Sequence, residues 1–145
     1  MSIDFVQVED KVIAELKANM KYLKNVESYA GQLASEIDKL VGNFPAVYVA
    51  YGGSKLEWVD GTVYNDLPDF DIIVVSKNFK GGEARRKDTN GCYDMIKDVL
   101  KYLTNQDFGM DIEKLKPVDV TLLLSTHLAT AYNIKFQTNF DIVYE

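Results

Sequence analysis

The chain has 145 residues, 47% hydrophobic and 12% aromatic, with 16 Lys and Arg against 22 Asp and Glu, a formal net charge of -6. That is enough apolar material for one packed domain spanning 1–145, with a radius of gyration of about 15 Å, and it excludes intrinsic disorder. The acidic balance argues against a general nucleic-acid binder, which would gain affinity from a basic face.

Residues 6–23 carry Val12, Ile13, Leu16, Met20 and Leu23 at helical spacing, and Asp4 stands where an N-cap belongs. Asn25 to Tyr29 is a short strand or a turn. A second helix is expected over 32–41, with Leu33, Ile37, Leu40 and Val41 on one side, ended by Gly42 and Pro45. Residues 46–51 are β-branched and aromatic and predict a strand. Gly52 to Pro68 is a long loop or a ragged hairpin, and 70–76 is a second strand. Lys77 to Asn90 is a charged connection. A helix follows from about Thr89 to Leu103, with Cys92, Ile96, Val99, Leu100 and Leu103 as its buried stripe.

Residues 118–125 predict a strand. From Leu128 to Phe140, Thr130, Tyr132, Ile134, Phe136 and Thr138 alternate with small or polar residues. That pattern predicts one long strand with one face buried and one wet, hairpinned to 118–125. The whole is an α+β fold, a mostly antiparallel sheet with helices packed on one face.

Chemistry is sparse. His127 is the only histidine and sits at the expected hairpin turn; Cys92 is the only cysteine and lies on an apolar helix stripe. A nucleophilic triad or dyad would have to use one of them, and the usual zinc ligand sets are excluded. A lone thiol fits a reducing compartment. No signal peptide is read at the acidic N-terminus, and no apolar run approaches a membrane span. Gly52-Gly53-Ser54-Lys55 lacks the spacing of a phosphate loop.

One constellation has an enzymatic alternative. A Gly53-Ser54 turn before Asp69-Phe70-Asp71 resembles the nucleotidyltransferase superfamily. Asp69 and Asp71 would share a strand face, and with Asp119 they would hold Mg²⁺ ions and a nucleotide. The plainer expectation is two solvent-facing acids at a strand start. The run Arg85-Arg86-Lys87 lacks the aromatic platform that single-stranded nucleic acid requires; it is a solvated run or a partner for an acidic patch on another subunit. Trp58 is a core plug or an interface anchor.

Several blocks together resemble the Mu-like prophage tail proteins encoded close to the sheath gene. They are Val26 to Gln32, Pro45 to Tyr51, Phe70 to Asn78, Gly82 to Arg86, Tyr93-Asp94, Asp111-Ile112, Leu115-Lys116-Pro117 and Phe136 to Phe140. They occur in the family's order; the segment Lys55 to Leu67 matches nothing.

The resemblance implies a tail terminator, a small α+β subunit that forms a ring, usually six-fold, on the head-proximal end of a contractile tail tube. Such a ring stops tube growth and joins the head. The partners implied are further copies of the chain, tail tube and sheath proteins and head–neck connectors, with no membrane and no sequence-specific nucleic acid. No catalytic residue, metal or cofactor is implied, and the location is the virion, assembled in the host cytoplasm.

A ring uses heterologous contacts, with a stable interface burying about 800 Å² per partner. The interface candidates are Tyr29, Trp58, Arg85, Arg86 and Lys87. The long final strand is expected to offer an edge for strand addition, and Lys55 to Leu67 to reach a neighbour. An acidic surface also suits a DNA conduit, because it repels phosphates.

Overall fold

The computed structural model describes residues 4–31, 33, 41–77, 82–88, 90–126 and 128–143. The expected helix at 32–41 falls almost wholly outside them, as does His127.

Helix α1 (Phe5–Asn19) starts at its expected cap. Asp4 Oδ1 accepts the Gln7 N–H at 2.9 Å, and the Gln7 side chain accepts the Asp4 N–H at 3.2 Å. Two N–H groups of the first turn are thus satisfied reciprocally. The helix ends four residues before Leu23. The Asn19 amide bonds back to the Glu15 carbonyl at 2.8 Å, and Met20 leaves helical geometry with φ -108 and ψ 67. The chain then runs into strand β1 (Asn25–Ser28), so of the two expectations for Asn25 to Tyr29 the strand holds, ending one residue short of Tyr29.

Strands β2 (Ala46–Asp60) and β3 (Val63–Lys77) form one antiparallel hairpin, each 15 residues long. The two expected strands are only its inner halves. Of the two expectations for Gly52 to Pro68 the ragged hairpin holds: the ladder continues through it with two register shifts, one between Tyr51 and Gly53 and one between Trp58 and Asp60. Gly52 is the extra residue of the first. A Cβ there would meet Asp71 Oδ2 at 2.8 Å, and Gly53 sits at φ +109, a region L side chains rarely adopt.

A six-residue helix, α2 (Gly82–Lys87), lies within the charged connection. Helix α3 (Cys92–Leu103) starts after Asn90, whose φ of 61 is not helical and whose N–H bonds to the Asp94 carboxylate at 2.9 Å.

Strands β4 (Lys116–Ser125) and β5 (Ala129–Gln137) pair as the expected antiparallel hairpin. The single long strand expected at 128–140 is divided, however. It breaks at Thr138–Asn139 and resumes as β6 (Phe140–Val143). The Thr138 hydroxyl donates to the Glu113 carbonyl, the Thr138 N–H reaches the Pro68 carbonyl at 3.3 Å, and the Glu113 N–H reaches the Asn139 carbonyl at 2.9 Å. The loop before β4 therefore pins the break.

The sheet order is β1-β2-β3-β5-β4, with β6 beside the outer part of β3; every pairing is antiparallel except β1 with β2. Helices α1 and α3 cover one face. Val8, Val12 and Leu16 of α1 and Cys92, Met95, Val99 and Leu103 of α3 pack on Val47, Val49, Phe70, Ile72, Val74, Ile134 and Phe136. Each such large side chain contributes about 1.5–3 kcal/mol when fully buried. This is the α+β fold that the pattern predicts. Met95 was absent from the expected stripe.

The opposite face is only partly wet. Phe44, Ala46, Tyr48, Ile73, Val75, Ala129 and Ala131 form a second cluster there, with Tyr29, Leu33 and Leu124 against it. The start of β5 is accordingly buried on both faces, which departs from the simple in-and-out alternation.

Two tyrosines carry opposite lessons. Tyr22 donates to Asp98 at 2.7 Å; burial first, then that bond and the Asp98 charge, hold its phenol well above the ordinary value. Tyr48 is fully buried, its hydroxyl has no partner among the described residues, and burial pushes its pKa up to about 12.

An unpartnered buried hydroxyl costs about 1–3 kcal/mol. Tyr48→Phe should therefore leave the protein as stable as before or raise its stability by about 1 kcal/mol in urea unfolding; a clear loss would contradict this account. The unfolded phenols ionise near pH 10, below the folded ones. The stability contributed by Tyr22 and Tyr48 is thus complete below pH about 10 and is lost as pH rises through the folded values. Urea midpoints should fall between pH 9 and 11, and less steeply in Tyr22→Phe.

Candidate interaction surface

The face of the sheet opposite α1 and α3 carries the acids of interest. Strand alternation puts Asp69 and Asp71 on that face, as expected. Both carboxylates are occupied by amides: Gln137 Nε2 donates to Asp69 at 3.1 Å and Asn133 Nδ2 to Asp71 at 3.0 Å. Lys135 is the ladder partner of both Asp71 and Asp119 and so stands between them. Among the described residues no group of three or more His, Cys, Asp or Glu side chains is placed to hold a metal ion. Gly52 is where the Asp71 carboxylate comes closest to the neighbouring backbone, so the Gly-Gly-Ser run is accounted for by a strand bulge. Cys92 is fully buried, and its thiol points to the Thr130 carbonyl at 3.4 Å. That is the behaviour of a small core side chain.

Among the described residues, apart from Val6 and Tyr93 on the helices, the exposed large hydrophobic side chains lie at the sheet's margins. β4 closes one side of the sheet, and all of its residues but Leu124 are exposed. Val118, Val120, Leu122 and Leu123 are between 41% and 56% exposed. A long apolar edge strand is a template for another chain, one that monomers usually blunt. This corrects the expectation that the final strand supplies the edge: β5 is bonded on both sides, by β3 and β4.

The other margin is β2. Its pairing with β1 ends at Val49, and among the described residues no strand pairs with its outer side beyond that point. The outer half of the β2–β3 hairpin forms an arm, backed by β6 on its β3 side, with Leu56, Trp58 and Val59 exposed on its β2 side. Trp58 is 74% exposed, its ring N–H bonded to the Gly61 carbonyl at 3.2 Å. It is no core plug.

The five interface candidates do not form one patch. Tyr29 is half-buried against Tyr48, ring centroids 6.0 Å apart. Lys87 is exposed and paired with Glu83 at 3.0 Å within its own helix, and that ammonium holds the Glu83 carboxyl below its usual range. Arg86 is half-buried, and the Arg85 side chain lies outside what the structure describes. Trp58 is level with Tyr64 near one end of β3, and α2 follows the other end. About 40 Å of strand separates them.

The family model for Bacteriophage Mu, Gp37 matches residues 4–144. The chain belongs to the Bacteriophage Mu Gp37 family. It is a phage protein, and the resemblance to Mu-like proteins traced in the ordered sequence blocks is borne out. The family match runs through Lys55 to Leu67 as well, the stretch where no block was found. No curated protein matches the chain.

Because amides already occupy Asp69 and Asp71, titrating the protein with a nucleoside triphosphate and Mg²⁺ in a calorimeter should give no binding heat. Saturable heat that Asp71→Asn abolishes would restore the enzymatic alternative.

Proposed function

We propose that this protein is the tail terminator of a Mu-like contractile tail. It is a structural subunit, not an enzyme, folded as one domain over 1–145. Copies close into a ring, six-fold as the resemblance implies, on the head-proximal end of the tail tube. The ring ends tube growth and offers the surface that joins the head, with tube, sheath and neck proteins as its neighbours in the virion.

The family match over residues 4–144 carries this reading. The exposed margins support it physically. A monomer rarely leaves both an edge strand with exposed Val118, Val120, Leu122 and Leu123 and an arm with exposed Leu56, Trp58 and Val59 without cover, as they are among the described residues. Because the two features differ, contact between them is heterologous, the kind that closes rings. A net charge of -6 suits a channel wall that must let DNA phosphates slide past without binding them.

Deleting the gene should give tubes of uncontrolled length and heads without tails in electron micrographs. The purified protein should appear in wild-type tails and, by light scattering, assemble to a discrete ring alone or on added tubes. A protein that stays monomeric, binds no tube and is missing from purified tails would overturn the proposal.

A further inference from the structure

We propose that the two free margins complete each other between copies: β4 of one subunit pairs antiparallel with the outer half of β2 of the next, so the sheet runs on from subunit to subunit. This deepens the ring reading and rests on it.

Direction fits first. Along the order β2-β3-β5-β4 every step is antiparallel, so β4 runs opposite to β2. A copy turned about an axis parallel to the strands brings its β2 alongside β4 in antiparallel orientation. Length fits next. β4 spans Lys116–Ser125, and the part of β2 that β1 leaves uncovered runs from Ala50 to Asp60. In the register given below, Ala50 to Glu57 of β2 without the extra residue Gly52 lies against Lys116 to Leu124 of β4 without the extra residues Val118 and Leu123, seven ladder positions or about 24 Å.

The faces also agree. Leu56 and Trp58 are level with Asp66 and Tyr64 of β3 and follow the alternation of Phe70 and Ile72, so they lie on the helix side. Val120 and Leu122 are level with Ile134 and Tyr132 and lie on the same side. Joining the edges sets Leu56 beside Val120 and Leu122 in one apolar strip, with Trp58 just past the start of β4.

Charge then selects a register. Lys55 and Glu57 are two ladder steps apart on the opposite face of β2. Asp119 and Lys116 are also two ladder steps apart, because Val118 is the extra residue of the bulge between Pro117 and Asp119. One antiparallel register therefore sets Lys55 opposite Asp119 and Glu57 opposite Lys116. It also sets Tyr51 opposite Leu122 and Leu56 opposite Pro117. Opposite charges facing across strands favour such a pairing and like charges oppose it. A two-fold pairing of β4 with itself would leave the β2 edge bare; the heterologous pairing covers both.

The test is a disulfide between Lys55→Cys and Asp119→Cys. Within one chain these strands are three strand spacings apart, about 14 Å, too far for a bond that needs Cα atoms within about 7 Å. Any disulfide formed therefore joins two subunits, and Cys92 is buried. Mild oxidation of the assembled protein should give a ladder of covalent oligomers ending at the closed ring, absent from either single variant. Rings that form normally but yield no cross-link would overturn this interface and leave the ring reading intact. A wild-type protein that neither assembles nor caps tubes would overturn both.

Should the cysteines impair assembly, charge reversal decides. Lys55→Glu and Asp119→Lys should each weaken ring formation about tenfold, roughly 1.4 kcal/mol, and the double variant should restore it. Failure of the double variant to recover would overturn the pairing.

Discussion

Strand β3 is the constraint on which the rest of the structure hangs. It is bonded on both sides over most of its length, to β2 from Val63 to Val75 on one and to β5 and then β6 on the other, with only Leu67 and Pro68 between those two. Its inner half is buried on both faces: Phe70, Ile72 and Val74 under the helices, Ile73 and Val75 against Tyr48 and Phe44. Such a strand reads as a near-continuous apolar run, and the residues from Ile72 to Val75 are one. The helices, the second cluster and the break between β5 and β6 all take their positions from it. Its outer half has no helix to meet and is instead half of the arm.

Much of this was legible in the residues, and the failures share a cause. Asp4 with Gln7 is a local signal, so the start of α1 could be read. The Val, Ile and Tyr run at 46–51 could be read because β-branched and aromatic side chains suit a pleated buried surface. The arm was left open between a loop and a ragged hairpin, although Lys55, Leu56, Glu57 and Trp58 alternate with period two, because glycines beside a charged stretch also suit a loop; the hairpin is what forms. The break at Thr138 could not be read at all, since its cause lies in the Glu113 and Pro68 carbonyls, far along the chain. The edge was assigned to the wrong strand for the same kind of reason. Which strand ends a sheet depends on non-local order, and β5 and β4 differ little in pattern.

The acidic face shows how far a motif can lead. Period two correctly placed Asp69 and Asp71 side by side. What the motif could not supply was their company: Gln137 and Asn133 come from a strand more than sixty residues further on. Carboxylates that accept amide N–H bonds, with Lys135 level with Asp71, form a polar layer that ties β3 to β5. The same letters that suggest metal-assisted chemistry in one fold are cross-strand ties in this one.

The bulge at Gly52 has a further consequence. It divides β2 into a part answerable to the core and a part that is not. Beyond it, the hairpin tip can gain or lose residues in matched pairs, two on each strand, without turning a single core side chain outward, since faces repeat every second residue. An odd change would instead send Trp58 to the other side. Any change in reach toward a neighbour is therefore confined to discrete steps that keep every face in place.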